Sequence, residues 1–262
     1  MPGPMARRAR TSLRLRALDA RDRVAGRGGR LVPPRRLQLS VGEGDFGAIG
    51  DEFLSHLVGL CGLKPDDRVL DVGCGIGRLA RPLAGYLSID GSYAGFDVSA
   101  DAIAWCTRRY RHYPNFRFVH ADVRNARYNP AGTTPAVAYE FPFEDGAFDV
   151  AVLMSVLTHL TADETLHYLG QVRRVLARGG RMLATVFVLD DEAPAPALAF
   201  GLPADGMAVV DPALPEEAVA YEEDWLLEAL RAAGLDLVEL HPGLWTGRPD
   251  GLSYQDVVIA RA

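Results

Sequence analysis

The sequence predicts an α/β fold of the doubly wound type, in which helices cover both faces of a mostly parallel sheet. Short runs rich in β-branched and aromatic residues alternate along the chain with amphipathic helical stretches, and repeated strand–helix–strand order makes successive strands parallel. A glycine-rich turn, Gly73-Cys74-Gly75-Ile76-Gly77, follows the first strand. Doubly wound sheets bind ligands at such turns, beyond the carboxyl ends of their strands.

Seven strands and five helices are predicted in order. The strands are expected at 68–72, 92–98, 115–122, 148–154, 181–189, 235–240 and 254–260, and the helices at 44–63, 77–87, 100–112, 163–177 and 222–233. The last two strands are joined by a loop of about 13 residues rich in glycine and proline. Such a loop is too short for a crossover helix, so we expect this pair to be antiparallel.

A basic arm, 1–36, precedes the single domain predicted over 37–262. The arm carries eleven arginines and two aspartates, a net charge of +9, so the rest of the chain carries about −15 of the total of −6. Two interpretations remain open: the arm attracts an anionic partner such as nucleic acid or a membrane surface, or it packs as a helix on the acidic body.

Two segments, 123–142 and 190–220, are longer than the usual connections between strands and helices. Because they lie next to strand ends at the carboxyl edge, we expect both to be substrate-side insertions. The proline- and alanine-rich 190–220 segment is expected to lack stable strands and to remain outside the core. Together with the arm and the 44–60 helix, it is expected to form a lid that closes only when a ligand is bound, or else to be a static surface loop. Phe200 is its candidate contact with the acceptor.

The three cysteines are widely spaced and odd in number, and they form no CxxC pair. This pattern indicates neither a disulfide framework nor a zinc site, and no metal is expected. With no secretory signal and no apolar run long enough to span a membrane, the sequence favours a reducing, cytoplasmic location.

Each of the first three predicted strands ends in an aspartate: Asp71, Asp97 and Asp122. The dinucleotide pattern G-x-G-x-x-G would need glycine where Arg78 stands. A carboxylate at the position of Asp71 would repel a pyrophosphate and attract a cation. These features favour S-adenosylmethionine, which carries an ammonium and a sulfonium, over a nicotinamide or flavin cofactor.

The other two aspartates suit the remaining parts of that ligand. Asp97 lies 20 residues after Gly77, the spacing at which an acidic residue of this fold accepts hydrogen bonds from ribose hydroxyls. Asp122 could accept the exocyclic amino group of adenine.

The sequence resembles the class I S-adenosylmethionine-dependent methyltransferases over about residues 46–189. VLDVGCGIGRLA (69–80) is similar to their first motif, GFDVS (95–99) to their ribose-binding segment, and FVHADV (118–123) to their adenine-binding segment. FPFEDGAFDVAVLMSVLTHL (141–160) with VRRVLARGGRML (172–183) is similar to the small-molecule branch that includes quinone and natural-product methyltransferases.

The resemblance implies a Rossmann-like, seven-stranded sheet of order 3-2-1-4-5-7-6 with strand 7 antiparallel. It also implies the cofactor contacts: Asp71, Gly73, Cys74, Gly75 and Gly77 for the methionine moiety, Asp97 with Val98 for the ribose, Asp122 with Val123 for the adenine, and Met154 near the methyl group. Ser155 is expected to face the acceptor.

The acceptor side has several candidates. His159 could take a hydroxyl proton as a general base, or it could be a packing histidine. His241, Trp245 and Tyr254 near the last hairpin could form a hydrogen-bonding wall for a polar acceptor, or a packed loop with an aromatic plug.

We therefore expect in-line methyl transfer to a small molecule, most simply to a hydroxyl oxygen of a natural product or sugar, with S-adenosylhomocysteine as product. The NPPY or DPPY motif of many nucleic-acid methyltransferases is absent, since the equivalent place has LMSVLTHL, and this disfavours nucleic acid as acceptor. The alternatives are a nucleic-acid or protein methyltransferase steered by the basic arm, and a non-methylating cofactor-binding homologue.

Overall fold

The computed structural model of the chain describes Asp19 and residues 29–38, 44–190, 192–202 and 204–262. Most of the basic arm lies outside these residues, so both interpretations of it stay predictions. Within the described part, the buried Asp19 carboxylate accepts a hydrogen bond from the backbone N–H of Arg35 at 2.8 Å. None of the helices described is both long and apolar enough to cross a membrane.

The helices and strands follow the predicted alternation. The helices are α1 Arg35–Gln38, α2 Phe46–Gly59, α3 Ala80–Tyr86, α4 Ala100–Arg109, α5 Ala162–Val175 and α6 Glu223–Ala232. The strands are β1 Arg68–Val72, β2 Ser92–Asp97, β3 Phe116–His120, β4 Phe148–Leu153, β5 Leu176–Val186, β6 Met207–Val209, β7 Val219–Tyr221, β8 Asp236–His241 and β9 Asp256–Arg261. Side-chain caps begin α2 and α4, where Asp45 and Ser99 accept backbone N–H groups of the first turn.

Seven strands form one sheet in the order β3-β2-β1-β4-β5-β9-β8. The pairs among β1 to β5 are parallel, whereas β9 runs antiparallel to both β5 and β8. Counted within this sheet, the order is 3-2-1-4-5-7-6 with the seventh strand antiparallel. The predicted fold class and topology are therefore confirmed.

Apolar side chains bury both faces of the sheet. Along β1, Leu70 belongs to one core cluster and its neighbour Val69 to a second cluster on the opposite face. Both residues are fully buried. Burial on both faces is typical of parallel strands between two helix layers, and it brings the carboxyl ends of β1 to β5 together at one edge.

The expectation that 190–220 lacks strands and stays outside the core is wrong. Strands β6 and β7 form an antiparallel pair, and Val219 and Ala220 are fully buried. Tyr221, which ends β7, is also buried, and its hydroxyl oxygen lies 2.7 Å from the carbonyl oxygens of both Leu157 and Leu160. Strands of three residues among prolines and glycines are too short to show the alternation of apolar and polar residues that indicates a strand. This is why the hydrophobic pattern did not predict them.

A buried carboxylate holds the start of β9 against two loops. Asp256 accepts hydrogen bonds from the backbone N–H of Val188 at 2.8 Å, from the backbone N–H of Gly243 at 2.6 Å and from Trp245 Nε1 at 2.7 Å. The Trp245 ring packs against Phe187 at 5.1 Å between centroids. Asp256 thus fixes the loop after β8 to the loop after β5.

We expect Asp256→Ala to lower the free energy of unfolding by about 3 kcal/mol, because three buried N–H groups lose their acceptor. Urea unfolding at pH 7 measures the change. The matched control is Asp236→Ala, which removes an exposed carboxylate from the edge strand β8 and should shift the value by less than about 0.5 kcal/mol. Equal effects of the two substitutions would contradict this role.

Candidate active site

A cavity of about 360 Å³ lies beyond the carboxyl ends of β1, β2 and β4. This volume is in the range of small-molecule sites, which is roughly 300–1,000 Å³. Nine of the predicted site residues line it: Gly73, Cys74, Gly75, Asp97, Val98, Val123, Met154, Ser155 and His159. The sequence-based placement of a ligand at this edge of the sheet therefore coincides with a cavity.

The glycine turn after β1 is held against the end of β2. The backbone N–H groups of Gly73 and Cys74 both donate to the carbonyl oxygen of Phe96, at 2.9 and 3.0 Å. Gly73 has a φ of 70°, and a Cβ there would lie 2.5 Å from Cγ2 of Val156. Only glycine satisfies both constraints, so the turn lies close to the sheet and leaves the space above it open.

Asp97 connects the turn to the cavity. Its Oδ2 accepts the backbone N–H of Gly75 at 2.7 Å, and its Oδ1 accepts the backbone N–H of Ser99 at 2.8 Å. Burial raises the pKa of the carboxyl, while the Ser99 and Gly75 N–H groups oppose the rise. Since each carboxylate oxygen has a second lone pair, Asp97 can hold the turn and still accept from a ligand.

Asp71 lies beneath the turn and does not reach the cavity surface. It is almost fully buried, and Oδ2 accepts the hydroxyl of Tyr93 at 2.7 Å. Burial raises the pKa of Asp71 to about 7; the Tyr93 hydrogen bond opposes this rise, and the charge of Asp97 adds to it. Its charge would therefore act on a ligand through the turn and not by contact.

Gly77 and Asp122 also lie outside the lining of the cavity. A Cβ on Gly77 would lie 3.3 Å from Sγ of Cys106, so this glycine permits close packing of the turn on α4. Asp122 is exposed and accepts the Thr133 hydroxyl at 2.6 Å, a hydrogen bond that lowers the pKa of its carboxyl. Its neighbour Val123 lines the cavity, while an adenine contact by Asp122 itself stays a prediction.

His159 lies in a 3-10 turn, Leu157–His159, and its side chain lines the same cavity. Its Nδ1 is 2.9 Å from the carbonyl oxygen of Glu216, and its Nε2 is 3.2 Å from the hydroxyl oxygen of Tyr128. Burial lowers the pKa of His159; the hydrogen bond to Glu216 opposes this, and nearby Arg127 adds to it. The lowered pKa favours the neutral imidazole.

Ser155 follows β4 with a φ of 57°, in the left-handed region that non-glycine residues rarely adopt. Its backbone N–H donates to Oγ1 of Thr185 at 2.7 Å, and its hydroxyl donates to Oε1 of Gln255 at 3.0 Å. Strain of this kind persists where the surroundings fix it and is common at functional sites.

Comparison with known families matches residues 70–184 to the family described as a methyltransferase domain. The match runs from β1 into β5 and includes the glycine turn, Asp97 and His159. Residues 70–184 thus match a methyltransferase domain, in agreement with the resemblance of the sequence motifs to class I S-adenosylmethionine-dependent methyltransferases.

Individual relatives support this domain match. The 27-O-demethylrifamycin SV methyltransferase of Amycolatopsis mediterranei (strain S699) is 31% identical over 181 residues, 69% of this chain and 58% of that protein. The O-methyltransferase cnsE of Penicillium expansum is 30% identical over 131 residues, 49% of this chain and 41% of that protein. The chain thus spans less than two thirds of the length of these curated relatives.

A solved structure shares the fold. The 1,6-didemethyltoxoflavin-N1-methyltransferase of Burkholderia thailandensis, with 1,6-didemethyltoxoflavin and S-adenosylhomocysteine bound, aligns with a TM-score of 0.54 at 19% identity. The alignment covers 100% of this chain and 92% of that chain.

The lining of the cavity suits S-adenosylmethionine. Asp97 offers hydrogen-bond acceptors, and Asp71 lies below the turn, as a cationic ligand requires. Arg78, Arg124 and Arg127 also line the cavity, so the carboxylate of an amino-acid group would meet counter-charges as well. Apolar lining at Val98, Val123 and Ala136 suits a flat base.

The four remaining acceptor candidates do not line the cavity. Phe200 and Trp245 pack on Phe187, with centroids 5.6 and 5.1 Å away, and Trp245 is 2% exposed. Nε2 of His241 lies 2.7 Å from Oε2 of Glu239, and Tyr254 is exposed. This packing agrees with the aromatic-plug alternative, and contact with an acceptor stays a prediction for these residues.

Apart from Val123, sequence reasoning missed the cavity residues of the 123–142 segment, chiefly Asn125 and Tyr128. The Oδ1 of Asn125 accepts the backbone N–H groups of Arg127 and Tyr128, at 3.1 and 2.9 Å. An asparagine that accepts such bonds from the following residues forms a turn, and this signal could have identified an ordered loop.

The raised pKa of Asp71 predicts that S-adenosylmethionine binding releases a fraction of a proton at pH 7. A cationic ligand favours the ionised carboxylate, and because burial raises the pKa of Asp71 to about 7, part of this carboxyl is protonated before binding. Calorimetry in buffers of different ionisation enthalpy should show this release, and it should vanish near pH 9, where the carboxyl is already ionised.

Asp71→Asn should abolish most of the release. Asp122→Asn is the control, because the pKa of that exposed carboxyl is lowered and it has no proton to lose at pH 7. The electrostatic role of Asp71 would be contradicted if the binding enthalpy of the unsubstituted protein did not depend on the buffer. It would also be contradicted if Asp71→Asn released as many protons on binding as the unsubstituted protein.

Proposed function

We propose that this protein transfers a methyl group from S-adenosylmethionine to a hydroxyl oxygen of a small molecule, such as a natural product or a sugar. The observation that carries this proposal is the position and hydrogen bonding of His159 in the cavity lining. Its Nδ1 faces a carbonyl oxygen, which can only accept, so the neutral ring has its proton on Nδ1 and a lone pair on Nε2. A general base at the cavity needs such a lone pair.

The bound cofactor would supply an electrophilic methyl group on a sulfonium. The chain would hold it through Asp97 and the glycine turn, and would hold the acceptor near Met154, Ser155 and His159. Placing two reactants at attack distance supplies most of the acceleration for this kind of displacement. His159 would take the proton that the acceptor oxygen loses.

Two features support a small acceptor. The relatives named above include O-methyltransferases. In addition, the segments 123–142 and 190–220 meet beside His159, through an ion pair of Arg127 with Glu217 and a 3.2 Å hydrogen bond from the backbone N–H of Ala126 to Oε1 of Glu216. We propose that these segments are substrate-side insertions that restrict the cavity to small molecules.

We further propose that the protein works in the cytoplasm without a metal. All three cysteines are free and buried, as a reducing compartment allows. In the part of the chain that the structure describes, no cluster of three or more histidine, cysteine or carboxylate side chains is placed to hold a metal ion.

For cofactor binding, we expect Asp97→Ala to weaken the affinity for S-adenosylhomocysteine by about 1.5–3 kcal/mol, the range for hydrogen bonds to a charged group. This corresponds to roughly 10- to 150-fold in Kd. Calorimetry measures it, with Asp101→Ala, an exposed carboxylate in the first turn of α4, as control. Unchanged affinity in a folded Asp97→Ala protein would remove Asp97 from the ribose role.

For methyl transfer, the protein is incubated with S-adenosylmethionine and a panel of hydroquinones, flavonols, macrolactones and sugars, and S-adenosylhomocysteine formation is followed. His159→Ala should lower kcat by about 10²- to 10⁴-fold, the usual contribution of a general base. Because the pKa of His159 is lowered, kcat should decline with falling pH only below about pH 6.5, the ordinary pKa of a histidine. The exposed His112→Ala is the control.

Other outcomes point to the alternatives. A kcat reduced less than tenfold in His159→Ala, with the same pH profile, would make His159 a packing residue. Turnover with RNA or peptides only would indicate a polymer acceptor, and salt-sensitive binding that is lost on deleting 1–36 would assign that role to the arm. Absence of S-adenosylhomocysteine with every acceptor would indicate a non-methylating homologue.

A further inference from the structure

We propose that Tyr128 contacts the acceptor hydroxyl and relays its proton to His159. This inference rests on the proposed O-methyl transfer and adds a catalytic residue to it. The Tyr128 hydroxyl oxygen lies 3.2 Å from Nε2 of His159, and both side chains line the cavity. Tyr128 is 39% exposed whereas His159 is mostly buried, so the phenol is the more accessible end of the pair.

The direction of this hydrogen bond follows from the other side of the ring. Nδ1 of His159 lies 2.9 Å from the carbonyl oxygen of Glu216, and a carbonyl has no proton to donate, so Nδ1 carries the hydrogen. The neutral ring then has only a lone pair on Nε2. Tyr128 must therefore donate its O–H to Nε2, which leaves the phenol lone pairs free to accept from an acceptor hydroxyl.

Tyr128 is held in this orientation from several directions. Asn125 accepts the backbone N–H of Tyr128 through Oδ1 and donates through Nδ2 to the carbonyl oxygen of His159 at 3.3 Å. The Arg127 guanidinium lies over the Tyr128 ring, 5.3 Å from its centroid, and pairs with Glu217. The Tyr128 and His159 rings meet edge to face at 5.1 Å. An exposed tyrosine with these contacts keeps its hydroxyl at Nε2.

The relay moves two protons and one methyl group. The acceptor hydroxyl gives its proton to the Tyr128 oxygen as Tyr128 gives its own proton to Nε2 of His159. The electron pair freed on the acceptor oxygen forms the bond to the methyl carbon, and the electron pair of the broken carbon–sulfur bond stays on sulfur. The imidazolium keeps its Nδ1–H bond to the Glu216 carbonyl and then releases a proton to water.

The rival arrangement is displacement, in which the acceptor pushes Tyr128 aside and contacts Nε2 directly. Tyr128→Phe separates the two, because it removes the oxygen and retains the ring. The relay predicts that kcat for an alcohol acceptor of the panel falls at least tenfold, with KM changed less than threefold and with unchanged affinity for S-adenosylhomocysteine.

Tyr139→Phe is the matched control, since Tyr139 belongs to the same segment but does not line the cavity; its kcat should stay within twofold of the unsubstituted enzyme. Equal or higher kcat in Tyr128→Phe would overturn the relay and favour displacement.

A titration tests the contact without turnover. In the complex with S-adenosylhomocysteine, nuclear magnetic resonance of ¹⁵N-labelled histidines should show His159 with its proton on Nδ1. Tyr128→Phe should raise the pKa of His159 by half a pH unit or more, because the phenol O–H favours the neutral ring. A proton on Nε2 in the neutral ring, or an unchanged pKa in Tyr128→Phe, would overturn the proposal.

The two experiments fail separately. If no hydroxylated compound is methylated, the proposed function fails and the relay with it, while the titration still decides whether Tyr128 donates to His159. If methylation occurs and Tyr128→Phe is fully active, O-methyl transfer stands and the relay alone fails.

Discussion

The site depends on one carboxylate that joins two strand ends. Asp97 accepts the N–H of Gly75 from the turn after β1 and the N–H of Ser99 at the start of α4, so it fixes the shape of the cavity floor before any ligand binds. Burial of the carboxyl opposes ionisation, and hydrogen bonds to its oxygens offset this cost. A ligand that donates to Asp97 would complete a site that is already ordered.

The part of the cavity around His159 is built from segments that are far apart in the sequence. His159 lies between Tyr128 of one insertion and Glu216 of the other, and the buried Tyr221 ties the same 3-10 turn to the end of β7. Each insertion makes hydrogen bonds at this turn, and closure of a lid on ligand binding stays a prediction. The proton position on His159 is therefore set by a backbone carbonyl from one segment and a phenol from the other.

The helices and strands that depend on local sequence patterns were predicted, whereas contacts between side chains far apart in the sequence were not. Strand–helix alternation and the short final loop predicted parallel strands with an antiparallel final pair, whereas the strand order was implied by the resemblance to class I methyltransferases. The glycine turn and Asp97 indicated the position of the cavity, since parallel strands end at one edge. The pairs Tyr128 with His159 and Glu216 with His159 span 31 and 57 residues and leave no periodic signal. For Trp245 the sequence left an acceptor contact and an aromatic plug as alternatives; its N–H donates to the buried Asp256, a partner that spacing alone does not reveal.

The central claim is that one cavity holds the cofactor against Asp97 and presents its sulfur to the His159 wall. A crystal structure of the protein with S-adenosylhomocysteine tests this claim most directly. The account predicts ribose hydroxyls within hydrogen-bond distance of the Asp97 carboxylate, the homocysteine group over the Gly73–Gly77 turn, and the sulfur facing the side where Tyr128 and His159 lie. A ligand bound elsewhere, or one whose ribose does not contact Asp97, would contradict it.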